Sequence, residues 1–195
     1  MKLESIIKDL KSRLSKKRFI HSAGVAEAAK MLASRYGADE DDAYLAGWVH
    51  DCAKELSLAD MQKIVLNAHM TLDACMMNSR PLLHGPAGSV LAKTRYGISD
   101  EQVLKAIYYH TTGRPAMDLM EKIIFLADYI EPSRDFPGVE GLRVLAKDNL
   151  ASAMVAAYDA TLKHLMEQGV FIYPLTFEGR NDLILKQSAR SEDKK

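Results

Sequence analysis

Leu3, Ile6, Ile7, Leu10 and Leu14 recur at helical spacing, and the same rhythm of three and four continues along most of the chain. A second amphipathic helix is predicted from Lys17 to Tyr36, stopping at Gly37, with His21, Val25, Ala28 and Leu32 along one stripe. Asp39 to Asp42 place negative charge on the first turn of a third helix, where the helix dipole favours it. That helix is predicted to carry Ala43 to Lys54, apolar nearly all round and therefore buried. Ser57 to His69 makes a fourth, with Leu58, Met61, Ile64 and Val65 inward.

From Thr71 to Gly88 the pattern is irregular, and Pro81, Gly85 and Pro86 read as breaks. His84 lies between two of them, at the start of a short helix through Ala92 that ends near Gly97. Ser99-Asp100-Glu101-Gln102 reads as a capping box for a helix running to Tyr109 and ending on His110. Met117 to Ile130 follows, closed by Pro132, then Val139 to Lys147 and Leu150 to Gln168. Val170 to Tyr173 is extended but too short for a sheet, and Ser188 to Lys195 reads as a frayed polar tail. No strand and helix alternation or repeat is present, so the fold class is all-α, a single helical bundle.

The composition narrows the function classes. With 195 residues, 48% hydrophobic and 27% charged, this is one globular domain with a proper core. The formal net charge of zero provides no basic field, and no basic stripe with interleaved aromatics appears, so a nucleic-acid partner is excluded. The longest charge-free run, Pro81 to Ala92, is too short to span a bilayer, and the charged start Met1 to Asp9 lacks the apolar stretch of a signal peptide. Two cysteines, Cys52 and Cys75, form no disulfide framework and read as small core residues of a reducing compartment. A cytoplasmic protein without membrane contact is expected.

His50 and Asp51 close the apolar third helix side by side. Burying such groups without partners costs several kcal/mol, so a metal, a cation or a hydrogen-bond network must compensate them. His21, His84, His110 and Asp128 also sit in apolar surroundings at or near predicted helix ends, from which they could converge. Four imidazoles and two carboxylates suit iron, manganese or zinc rather than calcium or magnesium, and exceed what one tetrahedral site needs. Asp51 is then the natural bridge between two ions. Each residue also has a plainer reading. His21 could be a hydrogen-bonded core histidine, Asp128 a salt-bridged acid, and His84 and His110 loop residues. His69 and His164 keep that plainer reading.

The blocks Lys17-Arg18-Phe19-Ile20-His21-Ser22, Val49-His50-Asp51-Cys52-Ala53-Lys54, Leu83-His84-Gly85, Tyr109-His110-Thr111-Thr112-Gly113, Ala127-Asp128-Tyr129-Ile130-Glu131-Pro132-Ser133-Arg134 and Pro174-Leu175-Thr176 with Arg180-Asn181 occur in that order. In them the chain resembles the HD-domain metal-dependent phosphohydrolases, and within them the symmetrical bis(5'-nucleosyl)-tetraphosphatases of bacteria. The resemblance covers residues 1–187 and leaves 188–195 as the tail. One position departs: Tyr173 stands where the family more often has histidine.

The resemblance implies a centre of two divalent or trivalent metal ions, iron foremost with manganese or cobalt as alternatives, cleaving diadenosine tetraphosphate into two ADP. His21, His50, Asp51 and Asp128 would hold one ion, with Asp51 bridging to a second held by His84 and His110. Asp51 and Lys54 would serve catalysis, and Arg18, Lys54 and Arg134 would meet the polyphosphate. Thr111 with Pro174, Leu175, Thr176, Phe177, Glu178 and Gly179 would line the nucleotide, and His21, His84, His110 and Asp128 would border the substrate. The expected partner is a dinucleoside polyphosphate, with pairing into a homodimer. Two alternatives stay open: a single-metal nucleoside monophosphate phosphohydrolase, and a non-catalytic nucleotide-sensing module.

Overall fold

A computed structural model describes residues 1–192. Among them are eleven helices and no strand: α1 (Leu3–Arg13), α2 (Lys16–Tyr36), α3 (Glu40–Val49), α4 (Leu58–Asn67), α5 (Ala74–Met77), α6 (Arg80–Thr94), α7 (Glu101–Tyr109), α8 (Leu119–Ile130), α9 (Val139–Asp148), α10 (Leu150–Glu167) and α11 (Pro174–Glu192). The all-α expectation holds. No helix of the described residues is long and apolar enough to cross a membrane.

The main core is a layer of small and branched side chains between α2, α3, α7 and α8. Val25, Ala26, Ala29 and Leu32 of α2 meet Ala43, Ala46 and Val49 of α3 and the buried face Ile123, Ile124 and Ala127 of α8. A smaller cluster of Ala53, Met61, Val65, Met76, Leu83 and Ala87 lies under α4, α5 and α6. Ser57 caps α4 through its side chain, and Asp118 and Glu121 form a reciprocal capping box at the start of α8.

Two glycines set the spacing of the helices that matter. A Cβ on Gly47 of α3 would lie 2.5 Å from the Ala26 Cα of α2, and one on Gly85 of α6 would lie 2.4 Å from the Tyr108 carbonyl oxygen of α7. Without side chains there, α3 seats directly on α2 and α6 on α7.

Four expectations are corrected. The third helix ends at Val49, and Asp51 to Lys54 form turns beyond it. Pro81 and Pro86 do not break the chain: both lie in α6, and His84 sits within it rather than at a start. Pro81 occupies the first turn, where no amide donor is needed, and Pro86 forgoes one internal bond in a buried helix. The cap of α7 is Asp100, whose carboxylate accepts from the Gln102 and Val103 amides, not Ser99. The stretch from Pro174 is a nineteen-residue helix reaching into the expected frayed tail. The tail residues 193–195 lie outside the described residues.

Candidate metal centre

Six side chains from five regions of the chain point into one space. His21 comes from the second turn of α2, His50 is the C-terminal cap of α3, and Asp51 follows it in the turn. His84 comes from α6, His110 caps the end of α7, and Asp128 lies in the last turn of α8. Five are buried, and Asp128 is partly so.

The distances divide the cluster around Asp51. Its Oδ2 lies 3.6 Å from His21 Nε2 and 3.4 Å from His50 Nε2. Its Oδ1 lies 3.2 Å from His84 Nε2 and 3.5 Å from His110 Nε2. Asp128 Oδ1 lies 3.0 Å from His21 Nε2 and 4.0 Å from His50 Nε2. Three overlapping triads have donor atoms within 4.8 Å of one another: His21, His50 and Asp51; His50, His110 and Asp128; and Asp51, His84 and His110.

Three of the imidazoles are oriented through Nδ1. That of His50 donates to the Gly47 carbonyl and that of His110 to the Ile107 carbonyl, each at 2.7 Å and three residues back. That of His21 meets Glu131 Oε1 at 3.0 Å. A ring whose Nδ1 carries the proton turns its Nε2 lone pair inward, and all four Nε2 atoms face the shared space. His21 Nε2, His50 Nε2 and Asp51 Oδ1 are buried with no hydrogen-bond partner in the protein. Orphaned donor atoms of this kind, nitrogen and oxygen mixed, are what a divalent transition metal requires.

The electrostatics agree. Burial alone would raise the Asp51 carboxyl, but His50 first, then His110 and His84, hold it well below the ordinary range. Burial is likewise outweighed at Asp128, by His21, Arg134 and His50, and its carboxyl too lies well below that range. Both are carboxylates at neutral pH. Burial foremost, with Lys54 and His110 adding to it, lowers His84 to about 4, so it is a neutral imidazole. Metal ligation needs these protonation states.

Cations ring the exposed edge. Arg18 Nη1 donates to Asp51 Oδ2 at 2.5 Å, and Arg134 Nη2 to Asp128 Oδ1 at 2.5 Å. Lys54 Nζ donates to His84 Nε2 at 3.1 Å, and burial lowers its pKa. All three remain a quarter to two-fifths exposed. Thr111 Oγ1 lies 3.1 Å from the Nε2 atoms of both His84 and His110. Its turn is held from behind by Arg114, whose guanidinium donates to Glu121 at 2.6 and 2.7 Å, while the Asp118 amide donates to the same carboxylate at 2.7 Å.

The six predicted ligands and Arg18, Lys54, Thr111 and Arg134 are therefore brought together. Pro174 to Gly179 are not joined to the cluster by any hydrogen bond or ion pair. Phe177 is exposed, Thr176 is buried, and a Cβ on Gly179 would lie 2.4 Å from the Tyr158 hydroxyl. Tyr173 donates to the Asp73 carboxylate, the N-cap of α5. His69 and His164 are exposed. Cys52 is buried, its thiol pushed up by burial to about 12, whereas Cys75 is exposed and not the core residue expected. Sequence reasoning gave Glu131 no role, although its place three residues after Asp128 was the available signal.

A histidine on one helix, a His-Asp pair ending the next and a late aspartate, all on one pocket, define a class. The chain belongs to the HD domain family, whose model matches residues 18–133. Within that family it groups with the symmetrical bis(5'-nucleosyl)-tetraphosphatases. It is 43% identical over 91% of its length to the protein so named from Halalkalibacterium halodurans, covering 95% of that protein. It is 40% identical over 94% of its length to the protein of the same name from Bacillus subtilis, covering 98% of it. A crystal structure from Clostridium acetobutylicum, described as an HD superfamily hydrolase involved in NAD metabolism, matches with a TM-score of 0.93 at 44% identity. That match covers 95% of this chain and 98% of the other.

Proposed function

We propose that the chain is a metal-dependent hydrolase that cleaves diadenosine tetraphosphate with one water into two ADP. The observation that carries the reading is a buried set of six metal donors whose exposed edge is ringed by three cations. A polyanionic substrate fits that edge, and the names of the relatives supply the symmetrical cut.

His21, His50, Asp51 and Asp128 would hold one ion and Asp51, His84 and His110 a second, with iron first among the candidates and manganese or cobalt close behind. Such ions would supply Lewis acidity toward phosphoryl oxygens and would lower the pKa of a water to ~7. The chain's own residues do the rest. Arg18 and Arg134, now turned onto Asp51 and Asp128, swing to the bridging phosphates, where a planar guanidinium binds two oxygens at once. Lys54 and Thr111 flank the His84 side and orient the reacting phosphoryl group there. The buried walls keep bulk water away and strengthen each charge contact. Pro174 to Gly179, on the first turns of α11, would face the nucleoside.

The test is product analysis. Purified protein is incubated with diadenosine tetraphosphate and iron(II), manganese or cobalt, beside a chelated control, and the nucleotides are separated by anion exchange. ADP as sole product, lost on chelation, is expected. ATP with AMP would overturn the symmetrical cut, and no turnover with any metal would overturn the reading. Metal analysis giving about two ions per chain separates it from a single-metal phosphohydrolase.

A further inference from the structure

The four imidazoles of the cluster are not supported alike. Those of His50 and His110 rest on main-chain carbonyls of their own helix ends, and His84 Nδ1 is buried with no partner. Only His21 is held by a carboxylate, and that carboxylate is itself fixed on every side. Glu131 is 1% exposed. Its Oε1 accepts from the Ser133 hydroxyl at 2.5 Å as well as meeting His21, and its Oε2 accepts from the Ser133 amide at 2.7 Å. The Glu131 carbonyl accepts from Arg143 Nη2 at 2.8 Å, and the same guanidinium clamps the Ile130 and Arg134 carbonyls at 2.9 Å each.

The opposite wall is shaped for it. Gly24 lies one turn after His21 on the same face of α2, and a Cβ there would stand 2.5 Å from Glu131 Oε2. Helix interiors prefer alanine to glycine, so the bare position costs helix stability. What it leaves is a slot filled by the carboxylate.

We propose that Glu131 is the positioning residue of the centre: seated in the Gly24 slot, it holds His21 with Nε2 facing inward, and it makes the half containing His21, His50 and Asp128 the tighter of the two. The proposal rests on the metal-centre reading above. A carboxylate behind a ligating imidazole fixes the ring and raises its basicity, and removing such a partner weakens metal binding on the order of 10- to 100-fold. The Asp51, His84 and His110 half has no equivalent support, since Lys54 stands at its edge as a competing cation.

Metal-free protein is titrated with manganese(II) by calorimetry and with cobalt(II) by its visible absorption, in wild type, Glu131→Gln and Gly24→Ala. Circular dichroism of the metal-free forms reports folding. Wild type is expected to bind in two unequal steps. Glu131→Gln keeps the volume but faces an amide donor toward Ser133 N–H or His21, and it weakens the tighter step 10- to 100-fold while the weaker step moves less than threefold. Gly24→Ala retains every polar group and presses foremost on the carboxylate, with Pro132 Cδ at 3.3 Å the next contact, so it reproduces the same selective loss. Unchanged binding in both variants, or equal weakening of both steps, would overturn the proposal. Should Glu131→Gln fail to fold, Gly24→Ala decides alone. A wild type that binds no metal would instead sink the centre itself.

Discussion

Replacing Glu121 by alanine tests whether the loop carrying Thr111 is held by the buried ion pair behind it. The Glu121 side chain is fully buried and accepts three charge-assisted hydrogen bonds, two from Arg114 and one from the Asp118 amide. Each of the two Arg114 bonds contributes about 1.5–3 kcal/mol net, and the Asp118 amide bond, which is the Glu121 half of the reciprocal cap, about 1 kcal/mol. Arg114 is 26% exposed, so its guanidinium regains water once freed and the total is discounted. The expected loss is about 3 kcal/mol, which for a chain of this size lowers Tm by roughly 6–12 °C. Arg114→Met costs at least as much, because it strands a buried carboxylate with one amide donor, a change worth about 3–5 kcal/mol. Combining Arg114→Met with Glu121→Ala removes both charges and recovers about 2 kcal/mol or more of the summed losses. Urea unfolding of the metal-free variants measures all three. Single losses below about 1 kcal/mol, or a double variant equal to the sum, would show that Glu121 and Arg114 contribute independently and that the loop is held otherwise.

Other consequences are as specific. Asp51→Ala removes the residue that contacts both halves of the centre. It should abolish metal retention and turnover with the far-ultraviolet spectrum unchanged, and turnover at the wild-type rate would sink its bridging role. Stability of the chelated protein should rise with pH between about 4 and 6.5. His84 stays neutral in the fold, faced by Asp51, His110, Lys54 and Thr111, while the unfolded chain takes up a proton below 6.5; the difference of about 3 kcal/mol is fully present above that window and lost on acidification through it. Asp51 and Asp128, depressed below the usual carboxylate range, lose their contribution only at still lower pH, so His84→Leu should flatten the intermediate window alone. Gly47→Ala forces a Cβ onto the α2 backbone and should cost about 1–3 kcal/mol by chemical denaturation. An unchanged midpoint would mean that α3 does not seat as described.

The six positions of the cluster were legible because burial makes isolated polar groups conspicuous. His50 and Asp51 ending an apolar helix demand partners, and the other four stand out for the same reason. What local patterning misread is where backbone proximity replaces periodicity. Gly85 and Pro86 read as punctuation, yet the glycine serves close approach to Tyr108 and the proline lies in a helix held by packing on α7. Helix α11 is not legible locally because charged and apolar residues mix along it without a broad stripe, and Gly179 falls near its start against Tyr158. Glu131 was invisible as a partner of His21 because 110 residues separate them, a distance that only the folded chain spans.

The order of these residues along the polypeptide has a consequence for a chain made from its N-terminus. Asp51, His84 and His110, with the main-chain carbonyl that turns His110, have all been synthesised once residue 110 is in place. The His21 half waits for Asp128, for Glu131 and for Ser133, which pins Glu131. On the proposal made above, the half that binds more tightly is the one completed last. A nascent chain thus passes through a stage in which the weaker, more exchangeable set is complete while the His21 half still lacks Asp128 and the carboxylate behind its imidazole. Firm retention of metal then coincides with closure of α8 over α2, which ties cofactor capture to the end of folding rather than to its beginning.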